Sequence, residues 1–327
     1  MDFTITLLKW FRENGRELPW RETRDPYAIW LSEIILQQTQ VKQGWAYWER
    51  FMRRWPTVHD LAAATEDEVL REWQGLGYYS RARNLHFAAR QIVAMGGFPQ
   101  TLEGILQLKG VGDYTAAAIG SIAFGLPAAV VDGNVYRVLA RHFGITTPIN
   151  TTEGKKEFTT LAQTLLPPQE ASAYNQAIMD FGAIQCTPQS PRCLVCPLQE
   201  SCTALRTGQI EMLPVKLKKL KVKSRHLIYI YIRCNGETAI HRRGEGDIWQ
   251  GLYEPLLTET VPAEAKLIAK DVRHILTHRV LTADFYLWEP TERPALPEGY
   301  FWIPEADIDH YAIPRLIDIL LNKFSTP

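Results

Sequence analysis

The 327-residue chain has no run approaching the ~20 consecutive apolar residues of a membrane-spanning helix. That argues against a membrane protein. Its N-terminus, MDFTITLLKWFREN, is broken early by Lys9 and Arg12 and reads as a folded helix, with no targeting signal in it. An excess of one charge is also missing, since 36 basic residues are matched by 36 acidic ones. Zero net charge weighs against a simple polybasic nucleic-acid binder. No internal repeat is visible, and no strand-like alternation of any length precedes Lys216. With 46% apolar and 22% charged residues, the composition excludes a largely disordered chain. The length exceeds what a single core usually supports, so two domains are expected.

The neutrality is a cancellation. Residues 1–205 carry 19 basic and 20 acidic residues, whereas 206–225 carry seven basic residues and one acid. The remainder holds 10 basic and 15 acidic residues. The segment VKLKKLKVKSR is therefore expected to be a solvated basic linker at 206–225, able to lie along a polyanion.

Residues 1–205 read as all-α. Val41, Trp45, Trp48, Met52 and Trp55 recur at helical spacing, as a core-facing stripe. Further helices are expected at 65–74, 80–95, 115–124, 135–143 and 153–165, punctuated by prolines. Residues 226–327 read as α+β. A β-branched and aromatic run from His226 to Arg233 ends at Asn235-Gly236, a hairpin signal, and Thr238–His241 follows. Val272–Trp288 is another long strand-prone stretch, and a helix from Pro314 to Lys323 closes the chain.

Four of the five cysteines, Cys186, Cys193, Cys196 and Cys202, form a C-x6-C-x2-C-x5-C pattern. Four thiolates so close suit zinc or a cubane iron–sulfur cluster. Only one short Cys-x2-Cys knuckle is present, which favours [4Fe–4S]. Cys234 stands apart and reads as a small buried hydrophobe.

Leu108-Lys109-Gly110-Val111-Gly112-Asp113-Tyr114 joins two short helices. Its glycines permit a tight turn and leave backbone N–H groups at a helix N-terminus to grip a phosphate. Downstream, Asp132 in Val131-Asp132-Gly133-Asn134-Val135 reads as a helix N-cap, a position that favours the ionised carboxylate. Glu33 lies beside Ile34 and Ile35 on an apolar helix, where burial would keep it protonated. One ionised and one protonated carboxylate is the pairing used to cleave glycosidic bonds through an oxocarbenium-like state.

Together, this hairpin, Asp132 in VDGNV and the cysteine spacing resemble the endonuclease III superfamily of helix-hairpin-helix DNA glycosylases. The finer resemblance is to the adenine DNA glycosylases of the MutY family. It is carried by Leu18-Pro19-Trp20-Arg21, SEIILQQTQV from Ser32, GLGYYSRARN from Gly75, and the C-terminal domain. The resemblance implies an all-α helix-hairpin-helix glycosylase domain with a [4Fe–4S] module at 1–205 and a Nudix-like domain at 226–327. It implies a base-excision enzyme that removes adenine mispaired with 8-oxoguanine or guanine in double-stranded DNA. A monomer of bacterial type, cytoplasmic and nucleoid-associated, is expected.

By the same resemblance, Glu33 protonates adenine and Asp132 stabilises the sugar cation, with Asn134 nearby. Tyr114 stands where bifunctional relatives carry a nucleophilic lysine, so strong lyase activity is not expected: a phenol cannot form a Schiff base. Lys109, Gly110, Val111 and Gly112 contact phosphate; Gln38 and Tyr78 wedge into the duplex beside Thr39 and Leu76; and Trp20, Arg21 and Gln176 line the adenine pocket, with Asn175 as the alternative to Gln176. Arg81 and Arg83 are expected to add DNA affinity. Leu276-Thr277-His278 matches the turn with which the family reads 8-oxoguanine, with leucine in place of an aromatic ring. The glutamate-dense helix of a hydrolytic Nudix domain is missing after Gly251, so that domain is expected to bind without hydrolysing. Tyr114 weighs against a bifunctional lyase, and Glu33 with Asp132 against a non-catalytic damage binder. The missing magnesium-binding series weighs against a nucleotide-pool hydrolase.

Overall fold

A computed structural model describes residues 2–217, 223–276 and 279–324. Thr277 and His278 lie outside the described residues. The chain divides into two compact units, Met1–Ala62 with Phe87–Lys218, and Ala63–His86 with Lys219–Pro327. Residues 63–86, read from sequence as part of the helical domain, thus group with the C-terminal segment.

The first unit is helical. Helix Pro26–Leu36 begins where Pro26 presets the first turn and the Asp25 carboxylate accepts from the Tyr27 N–H. Every residue from Tyr27 to Ile35 is buried, so this helix is central. Helix Val41–Arg54 buries Gly44 and Phe51, whereas the expected Trp45 and Trp48 are only half-buried. Those two rings pack edge-on against Trp20 at 6.0 and 5.7 Å, and the Trp48 indole N–H donates to the Ala28 carbonyl. Helices Asp113–Phe124 and Gly133–Phe143 each end on a glycine in the left-handed region, Gly125 and Gly144. Helix Ala171–Asp180 runs into a π-helical turn, Phe181–Gln185, that delivers Cys186.

The described part of the basic segment up to Leu217 is less free than its composition implied. Leu213 is buried, the Ile149 N–H donates to the Val215 carbonyl, and Asn150 exchanges two hydrogen bonds with Leu217.

In the second unit, β1 (Lys223–Ile232), β2 (Glu237–Arg242), β3 (Tyr253–Glu254), β4 (Leu256–Leu257), β5 (Lys266–Leu276), β6 (Arg279–Trp288) and β7 (Tyr300–Pro304) form two sheets, ordered β4-β1-β6-β5 and β3-β2-β7. Asn235 and Gly236, both at positive φ, make the expected two-residue turn between Cys234 and Glu237. The strands it joins then diverge into different sheets, so β1 pairs in parallel with β6 instead of zipping against β2. Val272–Trp288 likewise resolves into an antiparallel pair, β5 and β6. Helix Arg315–Phe324 buries Leu316, Ile317 and Leu320 against Leu227, Tyr229, Ala283 and Phe285. No described helix is long and apolar enough to cross a membrane.

Candidate active site

A cleft of about 800 Å³ in the first unit is lined by Trp20, Arg21, Glu33, Gln38, Thr39, Tyr114, Asp132, Asn134 and Gln176. Sequence separations of up to 156 residues are therefore closed into one cavity. Glu33 is 8% exposed, and the Tyr114 hydroxyl donates to its Oε2 at 2.9 Å. Burial, aided by the charge of Asp132, pushes the Glu33 carboxyl up to about 7, although the Tyr114 hydrogen bond and Arg21 pull the other way. Near neutral pH this acid can donate a proton.

Asp132 caps helix Gly133–Phe143. Its Oδ1 accepts from the Val135 N–H and its Oδ2 from the Asn134 side-chain amide, both at 2.8 Å. Those donors favour the anion, as a helix N-terminus does. Burial outweighs them, so the Asp132 carboxyl is raised and not lowered, contrary to what the cap alone predicts. The two acids nevertheless differ in their donors: Asp132 receives the Val135 N–H and the Asn134 amide, and Glu33 one phenol.

Helix Gly133–Phe143 also braces the cysteine loop. Arg137 donates to Asn134 Oδ1 (2.8 Å) and to the carbonyls of Gly182 (2.6 Å) and Cys186 (2.7 Å). Arg141, one turn on, reaches Cys186 Sγ at 3.5 Å and the carbonyls of Thr187 and Pro188. Neither arginine was singled out from sequence. Two arginines at i and i+4 flanking the apolar Val138-Leu139-Ala140 were the available signal.

All four cluster cysteines line one small cavity with Arg141. Burial raises the thiols of Cys193, Cys196 and Cys202, that of Cys196 to about 11, so their thiolates call for a cationic partner. One tetrahedral zinc would bring the sulfurs within about 4 Å of one another. Among the described residues no three of these sulfurs lie mutually within 4.8 Å, which suits the wider cubane.

The hairpin lies between helices Leu102–Leu106 and Asp113–Phe124. Gly110 has φ 81°, and Gly112 occupies the N-cap position, leaving the first turn without a side-chain cap. Lys109, Gly110 and Gly112 are exposed, and Val111 is half-buried. Gln38 follows the end of helix Pro26–Leu36 at φ 57°, exposed beside Thr39. Gln176 lines the cleft, whereas Asn175 is fully buried and spends its amide on Val130, Ala128 and Ser121, which removes it as the alternative.

In the second unit, Tyr78 is 49% exposed at φ 47°, and Tyr79 is buried. Leu76 is buried too, so it supports this turn and does not project with Tyr78. Of the two arginines expected to add DNA affinity, Arg81 is buried and Arg83 half-buried. Arg81 is 7% exposed, with its guanidinium 5.0 Å from the Trp73 ring centre, and Arg83 donates to the Gln250 carbonyl at 2.6 Å. Burial brings Arg81 down to about 10. A second cleft here is lined by Tyr78, Asp247, Trp249, His274, Leu276 and Arg279.

Comparison with known proteins bears on the same residues. Residues 31–168 match the HhH-GPD superfamily of base excision DNA repair proteins, 186–202 the iron–sulfur binding domain of endonuclease III, and 228–323 the NUDIX domain. An adenine DNA glycosylase of Schizosaccharomyces pombe is 36% identical over an alignment that covers 96% of this chain and 87% of the yeast protein. The chain belongs to the adenine DNA glycosylase family. The mouse adenine DNA glycosylase is 45% identical over 226 residues, 65% of this chain and 44% of the mouse protein, so the matched segment spans less than half of that relative. A thermostable thymine-DNA glycosylase structure superposes with a TM-score of 0.59 at 34% identity, covering 63% of this chain and 95% of that one. Cys186, Cys193, Cys196 and Cys202 thus belong to the family's [4Fe–4S] module, which ties the π-turn and the chain up to Cys202 into one loop.

Proposed function

We propose that the protein is a monofunctional adenine DNA glycosylase that flips adenine out of an A:8-oxoguanine or A:G mispair and hydrolyses its N-glycosidic bond. The observation that carries this reading is the pairing of buried Glu33, held by Tyr114 and raised to about 7, with the donor-capped Asp132 in one cleft.

Glu33 acts as general acid, donating its proton to a ring nitrogen so that adenine leaves neutral. Asp132, as the carboxylate, stabilises the positive charge that develops on the sugar, and Asn134 keeps it aimed. Glu33, now the base, orients the attacking water. Trp20, Arg21 and Gln176 form the walls around the flipped base. Tyr114 positions Glu33 and, lacking an amine, leaves the strand uncut. Lys109 to Gly112 hold the backbone phosphates without reading sequence. Gln38 and Tyr78, in a backbone region few side chains occupy, fill the space the base vacates, with Thr39 beside Gln38. Leu276, Thr277 and His278 recognise 8-oxoguanine through the C-terminal domain, which binds and does not hydrolyse. One duplex with one flipped base needs only a monomer, acting at the nucleoid in the cytoplasm.

The test uses end-labelled duplexes carrying A opposite 8-oxoguanine, G or T. Hot alkali should break the strand at adenine opposite the first two, and enzyme alone should leave it whole. Intact strands after alkali would reject the glycosylase reading. Efficient borohydride trapping of a protein–DNA adduct would reject the monofunctional one.

A further inference from the structure

Asp180 ends helix Ala171–Asp180 and is fully buried, yet no step above uses it. Its carboxylate accepts from Arg21 twice, Nη1 to Oδ2 and Nη2 to Oδ1, both at 2.8 Å. Arg16 adds its backbone N–H and its Nε, each at 2.9 Å, and its Nη2 at 2.5 Å. Arg21 also donates to the Arg16 carbonyl at 2.9 Å. The planar fork of Arg21 is therefore locked from behind, and both arginines line the cleft that holds Glu33.

We infer that Asp180 is a positioning residue for the excision chemistry, fixing the Arg21 guanidinium in the wall of the base pocket and screening its charge from Glu33. The inference rests on Glu33 being the general acid.

Glu33 is faced by the Tyr114 hydroxyl from helix Asp113–Phe124, by Asp132 at the head of helix Gly133–Phe143, and by Arg21 from the turn Pro19–Arg21. Met179, next to Asp180, contributes only its sulfur, 3.3 Å from the Tyr114 hydroxyl. Of these groups Arg21 is the cation, and it pulls Glu33 toward ionisation. Burial opposes ionisation of Asp180, but the hydrogen bonds from Arg21 and Arg16 win, so its carboxyl lies below its ordinary value and stays charged. A compensating anion bonded directly to Arg21 weakens the field that cation exerts on Glu33.

The experiment is the pH dependence of single-turnover adenine excision by the full cluster-loaded chain. Wild type should lose rate as pH rises through the Glu33 titration, and this limb should be missing from Glu33→Gln. Asp180→Asn should shift the limb to lower pH by about half a unit or more. Arg16→Gln, which removes the Arg16 guanidinium and leaves Asp180 with Arg21 and the backbone N–H of residue 16, should shift it upward. A role in stability alone would lower the rate at every pH and leave the limb in place. An unmoved limb in Asp180→Asn overturns the inference. If that variant fails to retain the visible absorption of its cluster, Arg16→Gln decides, and a downward shift or no shift overturns it. A wild type that does not excise, or whose limb survives in Glu33→Gln, defeats the glycosylase reading itself, a different result from either variant failing to shift.

Discussion

Each unit of the molecule keeps an acid within its fold and treats it in the opposite way. Glu33 receives a single phenol and is pushed up to about 7. Asp247, in the second unit, is ringed by Arg225, Arg243 and Arg279 at 2.5, 2.6 and 3.0 Å. Burial there also favours the protonated form, but the Arg225 hydrogen bond, the Ile248 N–H and the charges of Arg225 and Arg243 bring the carboxyl down to about 2. Burial pushes both toward the protonated form, more strongly at nearly enclosed Glu33 than at Asp247, a third of whose side chain is exposed, and the partners then widen the difference. A cation in direct contact makes an acid structural. When the nearest cation is already bound to another carboxylate, as Arg21 is to Asp180, the acid keeps a proton it can give away.

The comparison breaks first at the chemistry. Glu33→Gln or Asp132→Asn should still bind a mispaired duplex but lower single-turnover excision by about 10²–10⁴-fold. Near-normal excision by either variant removes that residue from catalysis. In the second unit the counterpart is Arg243, 7% exposed, which is bonded to buried Glu254 as well as to Asp247. Arg243→Ala strands Glu254, which would keep the Tyr229 hydroxyl and the His241 ring 3.9 Å away but no arginine. Loss of a buried partner costs about 3–5 kcal/mol, so chemical denaturation should show early unfolding of the C-terminal strands. A variant of wild-type stability would mean that the arginine is not the partner that matters.

Smaller effects sharpen the same contrast. Tyr114→Phe removes the one hydrogen bond that favours ionised Glu33. Excision should fall several-fold at neutral pH while its alkaline limb moves upward, and a downward move would assign the hydroxyl a different role. Asp247→Asn should cost about 1 kcal/mol, since a third of the Asp247 side chain is exposed and water screens the pairs. Its folded-state value is depressed, so the stability it adds is present above the ordinary aspartate range and is lost as pH falls toward 2. Melting curves at pH 7 and pH 3 should therefore separate wild type from variant more at pH 7.

Much of the fold was legible because local patterns agreed with it. Helix Glu66–Glu72 carries the Thr65/Glu68 capping box, and Glu33 could be picked out as an acid inside an apolar run. The cysteine spacing pointed to the cluster because ligand geometry constrains a short loop. What stayed hidden depends on contacts far apart in the chain. Asp180 meets Arg16 across 164 positions, and Asn134 Cβ would lie 2.6 Å from a Cβ on Gly182. No local periodicity encodes such meetings. The hairpin signal at Asn235-Gly236 was locally right, yet sheet pairing is decided by the parallel β1–β6 ladder, which no turn residue announces. Arg81 misled for a related reason: composition counts charges, and packing decides which of them water sees.

The most direct test of the central claim is the pH–rate profile of single-turnover adenine excision on an A:8-oxoguanine duplex. With Glu33 as a buried acid near 7, the rate should hold steady below neutrality and fall about tenfold per pH unit well above it, and Glu33→Gln should be slow and flat. A wild-type rate that stays level or rises from pH 6 to pH 9 would contradict the account.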